Sequence, residues 1–474
     1  MGIVPFHAIF YGVHVSDHAF TSRNCWEVYS GAKNANAVKE LAVQYVDFLT
    51  RCKTERETVA YVRERLKKAG YVENGKGDAI FRVLYGKTIF AACRGKKNFS
   101  RGMRLIGAHV DTPRLDFKQR PLQEQCNVAQ AKTHYYGGIR KYQWLARPLA
   151  IHGVIVRADG TSVAVVLGED SAEPVFTIAD LLPHLAASQA DQPLAKVFEG
   201  EKLNVIIGHK PAAAPEKGKK DAKDMVKAGI LALLHKKYAI CEEDLYSAEL
   251  QVVPAGPARF VGLDGALIGS YGHDDRVCVF TALEAFLRSG QASAHTRCLM
   301  LWDKEEIGSE GATSAKSRFF EYCVNDCMAA WDPRAKFSEV MLAAKAISAD
   351  AHAALDPDWQ DLHEKLNAAL LGHGPCFCKF TGSRGKYAAN DAHPEYIAWL
   401  RGILNKAGIP WQMAELGKVD GGGGGTVAMH LAEYGMHIID CGPAVLSMHS
   451  PFELVSTVDV YAACLAFTEF FTAP

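Results

Sequence analysis

An apolar run, Cys298-Leu299-Met300-Leu301-Trp302, stops abruptly at Asp303-Lys304-Glu305-Glu306-Ile307-Gly308-Ser309. The run reads as a buried strand. Adjacent carboxylates at its end bring charge to the mouth of a fold, where it is costly unless a cation or a proton meets it. A metal site is the natural suspect. Partners for it are spread along the chain: His109-Val110-Asp111, Asp274-Asp275-Arg276, Ser348-Ala349-Asp350-Ala351-His352 and Met448-His449-Ser450. They offer imidazole and carboxylate but no thiolate, the donor set of a hydrolytic zinc centre. The first reading is therefore a two-metal hydrolase.

Helices alternate with strands along most of the chain. In residues 36–50, Val38, Leu41, Tyr45, Phe48 and Leu49 share one helical face; the next helix opens with Thr54 and Glu57 at capping-box spacing and stops near Gly70. Strands are predicted at Ile80–Tyr85, Thr88–Ala92, Arg104–Ala108, 297–303, 340–347 and 436–441, followed by a helix over 456–470 with Ser456 and Asp459 as its capping box. This alternation predicts an α/β domain around a mostly parallel central sheet. All the suspected ligands fall just after predicted strands, at the edge where open α/β sheets bind their ligands. One shared site follows.

Between residues 119 and 262 the texture changes. Short β-rich pieces at Ala150–Arg157, Ser162–Leu167, Lys202–Ile207 and Ala248–Pro254 are separated by a polar stretch, Pro211–Asp224, whose Glu216-Lys217-Gly218-Lys219-Lys220 run reads as solvated surface. The expected organisation is a discontinuous domain, 1–118 with 263–474, and a second, β-rich domain, 119–262, inserted into it.

Composition narrows the partners. Lys plus Arg equals Asp plus Glu, at 53 each, so no global field attracts nucleic acid or an anionic membrane. The opening Met1-Gly2-Ile3-Val4-Pro5-Phe6-His7 lacks the basic start and apolar core of a secretory signal, and no run approaches the roughly 20 residues of a membrane span. A cytoplasmic protein acting on small molecules or peptides is expected. The 13 cysteines are odd in number and irregularly spaced, which reads as reduced, mostly buried thiols rather than a disulfide framework.

Each motif has a bland reading beside the chemical one. In a strand, residues i and i+2 face the same way, so His109 and Asp111 can converge, and a carboxylate beside a ligating imidazole fixes its orientation; alone, the triplet is weak. Asp274-Asp275 starts a helix whose Val277, Phe280, Leu283 and Phe286 face a core, so the pair is either a helix cap or a ligand source. Asp350 and His449 are individually ambiguous. Glu305 and Glu306 are either a solvated loop or two acids that divide the labour, one binding metal while its neighbour takes a proton from water. The run Gly421–Gly425 before Thr426 lacks the Lys-Ser/Thr ending of a phosphate loop, and close approach of its backbone to a ligand or another strand accounts for it better.

Taken in order, Gly107-Ala108-His109-Val110-Asp111-Thr112-Pro113, Asp274-Asp275-Arg276, Asp303 through Ser309, Ser348-Ala349-Asp350, Tyr387-Ala388-Ala389-Asn390, Asp420 through Thr426 and Met448-His449-Ser450 resemble the aspartyl aminopeptidase and vacuolar aminopeptidase I family of zinc metallopeptidases. The resemblance implies a three-layer zinc-peptidase domain with an inserted dimerisation domain. It also implies two zinc ions per subunit, with cobalt or manganese as substitutes. Asp274 would bridge the ions, with His109 and Asp350 on one and Glu306 and His449 on the other. Glu305 would be the general base and Asp111 would orient His109. The implied reaction is attack by a metal-bridging hydroxide on the first peptide bond of a peptide with a free N-terminus. Substrate-side candidates are His352, Lys379, Tyr387, His184 and Gly425.

Two departures stand out. The family member selective for acidic N-terminal residues has a histidine three positions beyond its counterpart of Asp350, whereas here His352 is two beyond and Ala353 three beyond. That enzyme also has a second histidine after its Pro-His-Leu-Ala segment, where Pro183-His184-Leu185-Ala186 continues into Ala187-Ser188. Alternatives are a related di-zinc deacylase or carboxypeptidase, and a catalytically silent assembly protein. Family members pair through the inserted domain and close into a twelve-subunit shell, so a homo-oligomer of that kind is expected here.

Overall fold

The structure is a computed structural model that describes residues 18–212, 224–290 and 293–474. Met1–His7 and the Glu216–Lys220 run lie outside the described residues.

Nine strands form the main sheet, in the order Val72–Glu73, Ala79–Leu84, Thr88–Cys93, Thr296–Trp302, Met103–His109, Lys345–Ala349, His437–Gly442, Cys376–Cys378 and Gln412–Met413. The four central strands, from Thr296–Trp302 to His437–Gly442, are parallel; Thr88–Cys93 and Cys376–Cys378 join them antiparallel on either side. Strand alternation divides the central side chains between two cores. Ile106, Ala108, Leu299, Leu301, Ile347 and Ala349 enter one, closed by helices Ala32–Arg51, His273–Arg288, Pro394–Ala407 and Thr457–Thr472. Met103, Leu105, Cys298, Met300 and Ala346 enter the other, closed by Phe319–Trp331 and Ala428–Ala432. Helices thus cover both faces, which explains why Thr296–Trp302 is apolar without interruption and buried throughout.

The helix Glu55–Lys68 begins as expected. Thr54 Oγ1 accepts from the Glu57 amide at 3.2 Å and Glu57 Oε2 accepts from the Thr54 amide at 3.0 Å, which closes the capping box. Two other expectations fail. Residues 340–347 are not one strand: a short helix, Phe337–Leu342, precedes the strand Lys345–Ala349. Val340 and Met341 are buried from the helix, and pairing starts only at Lys345, opposite Arg104. The Ser456–Asp459 capping box is also absent. Ser456 makes no side-chain cap bond, and fully buried Asp459 accepts instead from the amides of Gly372 and Gly374, at 2.7 and 2.8 Å.

A second sheet is wholly antiparallel, in the order Ser162–Leu167, Leu149–Val156, Ala248–Pro254, Arg114–Gln125, Val128–Tyr136 and Val205–Gly208. It starts at Arg114, directly beyond His109-Val110-Asp111. Helix Met225–Tyr238, which no sequence pattern singled out, packs Leu234 and Tyr238 against it. A third sheet, Arg259–Val261, Leu267–Ser270, Glu453–Ser456, Ala444–Leu446 and His352–Ala353, gathers the segments beside Asp274, Asp350 and His449.

Eleven of the thirteen cysteines are buried and none is paired; Cys126 and Cys241 are exposed. Among the described residues, no helix is long and apolar enough to cross a membrane.

Candidate metal centre

Parallel strands deliver the candidate ligands to one edge. His109 ends Met103–His109, and the next residue, Val110, extends the ladder by donating to the Trp302 carbonyl at 2.8 Å. Asp350 follows Lys345–Ala349 directly. Asp274 and Asp275 sit at the kinked start of helix His273–Arg288, where both depart from helical backbone angles. Glu305 and Glu306 lie in a single 3-10 turn entered through Lys304 at φ 72°. His449 occupies the link between Ala444–Leu446 and Glu453–Ser456 at φ 63°. Left-handed backbone at non-glycine residues is uncommon and collects at functional sites.

Asp274 is the hub. Its Oδ1 lies 3.3 Å from His109 Nε2 and its Oδ2 lies 3.2 Å from His449 Nε2. His109 Nε2 is also 3.9 Å from Asp350 Oδ1, and His449 Nε2 is 3.4 Å from Glu306 Oε1. Ligand atoms converge within 4.8 Å of one another in three groups: His109, Asp274 and Asp350; His109, Glu305 and Glu306; and Asp274, Glu306 and His449. Each imidazole is fixed from behind. His109 Nδ1 faces the Asp111 carbonyl at 3.1 Å and Asp111 Oδ1 at 3.4 Å, and His449 Nδ1 faces the Gly138 carbonyl at 3.0 Å. With Nδ1 as donor in both rings, both Nε2 atoms are left to face the shared carboxylate.

The surrounding shell is equally specific. Asp111 accepts from the amides of Glu305 and Glu306, each at 3.1 Å, and from the Tyr136 hydroxyl at 2.8 Å. Glu453, fully buried, accepts from the amides of Asp274 at 3.0 Å and His449 at 2.7 Å. Asp275 accepts from the His109 amide at 3.3 Å, so the second aspartate of the pair faces backbone rather than the cluster. Neither Tyr136 nor Glu453 carried a sequence signal. Tyr136 comes from the second sheet, and Glu453 belongs to no motif.

So much buried negative charge distorts the acidities. Burial pushes the Glu305 carboxyl up to about 7, with Asp111 and Asp274 adding to the shift and His109 opposing it. Burial and Asp274 drive Glu306 and Asp350 well above the usual carboxylate range. Burial disfavours the charged form of His449, yet Asp274 and Glu306 push it up to about 10. Burial disfavours the charged form of Asp274 as well, yet His109 and His449 hold its carboxyl well below the usual carboxylate range. Asp274 Oδ1 and Glu306 Oε1 are buried without a hydrogen-bond partner. Orphaned carboxylate oxygens, two imidazoles and no thiolate suit a small divalent cation such as zinc.

The cluster lines a cavity of about 490 Å³ that also reaches His352, Gly425, Met429, His430 and Asp440. Of the substrate-side candidates, His352 and Gly425 face this cavity; Lys379, Tyr387 and His184 do not line it. His184 is exposed and Tyr387 is 80% exposed. The glycine run is pressed by another chain segment: a Cβ on Gly423 would lie 2.0 Å from the Gly382 carbonyl, and Gly382 pairs with Gly424.

An α/β sheet whose parallel strands end in imidazoles and carboxylates around an open cavity is the frame of a metal-dependent hydrolase. Residues 48–471 match the aminopeptidase I zinc metalloprotease (M18) family. The chain belongs to that family and is a zinc-dependent aminopeptidase. A probable M18 family aminopeptidase 1 of Clostridium acetobutylicum is 46% identical over 451 residues, 93% of this chain and 96% of that protein. The crystal structure of an M18 family aminopeptidase from Thermotoga maritima superposes with a TM-score of 0.90 at 41% identity, covering 96% of this chain and all of that one. More distantly, the mApe1 dodecamer of S. cerevisiae shares the fold, with a TM-score of 0.75 at 20% identity over 92% of this chain and 97% of that one.

Proposed function

We propose that the enzyme removes N-terminal residues from peptides with two zinc ions held by His109, Asp274, Asp350, Glu306 and His449, and with Glu305 as general base. One observation carries the reading: the two oxygens of Asp274 face two different imidazoles, at 3.3 and 3.2 Å, as a carboxylate shared between two cations would. Asp350 then completes the His109 side and Glu306 the His449 side. Zinc bound there supplies Lewis acidity that polarises the scissile carbonyl and lowers the pKa of water. Glu305 takes the proton from the attacking water and returns it to the departing amine. Both transfers need a carboxyl beside the attacking water, and Glu305 stands on the same 3-10 turn as Glu306, with a carboxylate oxygen within 4.8 Å of ligand atoms of His109 and Glu306. Asp111 holds His109 from behind and, through the two amides it accepts from, sets the turn that carries Glu305.

The region 119–262 is proposed as the pairing domain of a homo-oligomer, with a dodecamer built from dimers as the assembly. The dodecameric state of mApe1, which shares the fold, supports this reading.

Glu305→Gln tests the base. It should keep its zinc by elemental analysis and lose on the order of 10²-fold or more in kcat on aminoacyl fluorogenic substrates. A near-normal rate would remove Glu305 from the mechanism. Equal cleavage of N-blocked peptides would favour a deacylase instead.

A further inference from the structure

Behind the loop that carries Glu305 and Glu306 lies a buried cation with no role in the reaction as described. Lys87 is 8% exposed, and its Nζ lies 2.8 Å from Glu55 Oε1, 3.3 Å from Asp303 Oδ2 and 3.4 Å from Glu249 Oε2. Those carboxylates belong to three separate parts of the fold. Glu55 opens helix Glu55–Lys68, Glu249 lies on the second-sheet strand Ala248–Pro254, and Asp303 stands two residues before Glu305. Glu55 and Asp303 have no exposed surface, so each needs a compensating charge. Arg114 Nη2 shares Glu55 at 3.4 Å and Arg56 Nε shares Glu249 at 2.8 Å. Among the described residues, the only other cation paired with Asp303 is Lys304, 3.7 Å away and part of the same loop, which therefore cannot anchor it.

Lys87 is itself firmly placed. It closes the turn between Ala79–Leu84 and Thr88–Cys93, where Tyr85 and Gly86 both take positive φ, 52° and 69°, and its amide donates to the Leu84 carbonyl at 3.0 Å. Its neighbour Thr88 holds the far end of the loop: Thr88 Oγ1 donates to the Thr313 carbonyl at 2.5 Å. Thr313 Oγ1 in turn donates to Asp303 Oδ2 at 2.7 Å, and the Asp303 amide donates back to the Thr313 carbonyl at 3.2 Å. Lys87 and Thr88 thus grip both ends of residues 303–313, the segment on which Glu305 and Glu306 ride.

We propose that Lys87 is a positioning residue for catalysis: by holding Asp303 it fixes the Glu305–Glu306 turn, and through Glu249 it ties that placement to the second sheet. The proposal rests on the reading of Glu305 as the base. It makes turnover sensitive to how the second sheet packs. A misplacement of about 1 Å at a catalytic group can cost on the order of 10²-fold in rate.

The test compares Lys87→Met, Lys87→Arg, Glu249→Gln and Glu305→Gln in the zinc-loaded full chain, reading kcat, KM, zinc per subunit and mass by light scattering. Lys87→Met should lower kcat on the order of tenfold to a hundredfold, with KM within about threefold and with zinc and mass unchanged. Lys87→Arg should restore most of the rate. Glu249→Gln, at a half-exposed position that keeps Lys87 on Asp303, should lower kcat a few-fold and supplies a decision even where Lys87→Met folds poorly. An unchanged kcat in Lys87→Met overturns the proposal. So does loss of zinc or mass in step with activity, with no rescue by arginine and a wild-type rate in Glu249→Gln. Full activity in Glu305→Gln overturns the base reading instead, which separates the two failures.

Discussion

The hydroxyl of Tyr136 donates to Oδ2 of Asp111 at 2.8 Å, joining the last residue of a second-sheet strand to the acid behind His109. Both residues are buried, and the Arg114 guanidinium lies 3.9 Å above the Tyr136 ring. Asp111 keeps the two glutamate amides when the phenol is lost. Tyr136→Phe is therefore expected to retain zinc and lose only a few-fold in kcat. Asp111→Ala removes the support of His109 and of both amides, and should weaken zinc affinity about 10- to 100-fold. Chelator titration with metal analysis ranks the two, and the reverse ranking would contradict the assignment.

Asp274 and Asp275 are neighbours with opposite duties. Asp274 faces both imidazoles, whereas Asp275 accepts from the His109 amide and is wholly buried. Asp274→Ala should lower zinc occupancy on both sides of the cluster; Asp275→Ala should leave most metal bound. Should Asp275→Ala strip the metal more thoroughly, the ligand set is one residue out of register.

His152, 3% exposed, places Nδ1 2.7 Å from Glu57 Oε1 and Nε2 2.9 Å from Glu169 Oε1, between helix Glu55–Lys68 and the second sheet. Burial disfavours its charge, but the bonds to Glu169 and Glu57 win and hold its pKa above the ordinary 6.5. A raised pKa stabilises the fold below the unfolded value and fades as pH climbs through the folded one. Burial raises Glu57 and Glu169 as well, yet His152 and, for Glu169, Lys53 hold both below the ordinary 4.5, so their share is present above that value and is lost on acidification. The melting temperature of wild type should exceed that of His152→Gln most between about pH 5 and 6.5, with the gap narrowing above the folded-state pKa. A gap that widens with pH would show that the imidazole is neutral in the fold.

Assembly is read by light scattering at micromolar concentration. The expected mass is that of many subunits, and a two-fold dimer is the smallest stable unit, since closed symmetry needs repeated self-complementary contacts. Removing residues 119–262 should give smaller species with little activity. A monodisperse, fully active monomer of the intact chain would end the proposal.

Much of the catalytic half was legible in the sequence because burial on both faces leaves a plain mark. Cys298 through Trp302 is apolar at every position since helices lie above and below it. Thr54 and Glu57 announced their helix because a capping box is a local transaction between side chain and backbone three residues apart. Asp459 stood at the same spacing from Ser456, yet two glycine amides nearly ninety residues upstream in sequence claimed its carboxylate, which no local pattern records. Val340-Met341-Leu342 is apolar enough for either a strand or a short helix, and its position after the turn decided the matter. Tyr136, Glu453 and Lys87 were invisible because their roles depend on what the fold brings against them.

Glu453 braces the amides of both Asp274 and His449, and those residues, with His109, Glu305 and Asp350, are drawn from five separated stretches of chain. Order of synthesis then matters. A polypeptide still leaving the ribosome has made His109 and Asp274 long before it reaches His449 and Glu453, so one side of the cluster and its shared brace arrive last. Until they do, the proposed ligand set is incomplete, and the site can close only around the last-made part of the fold.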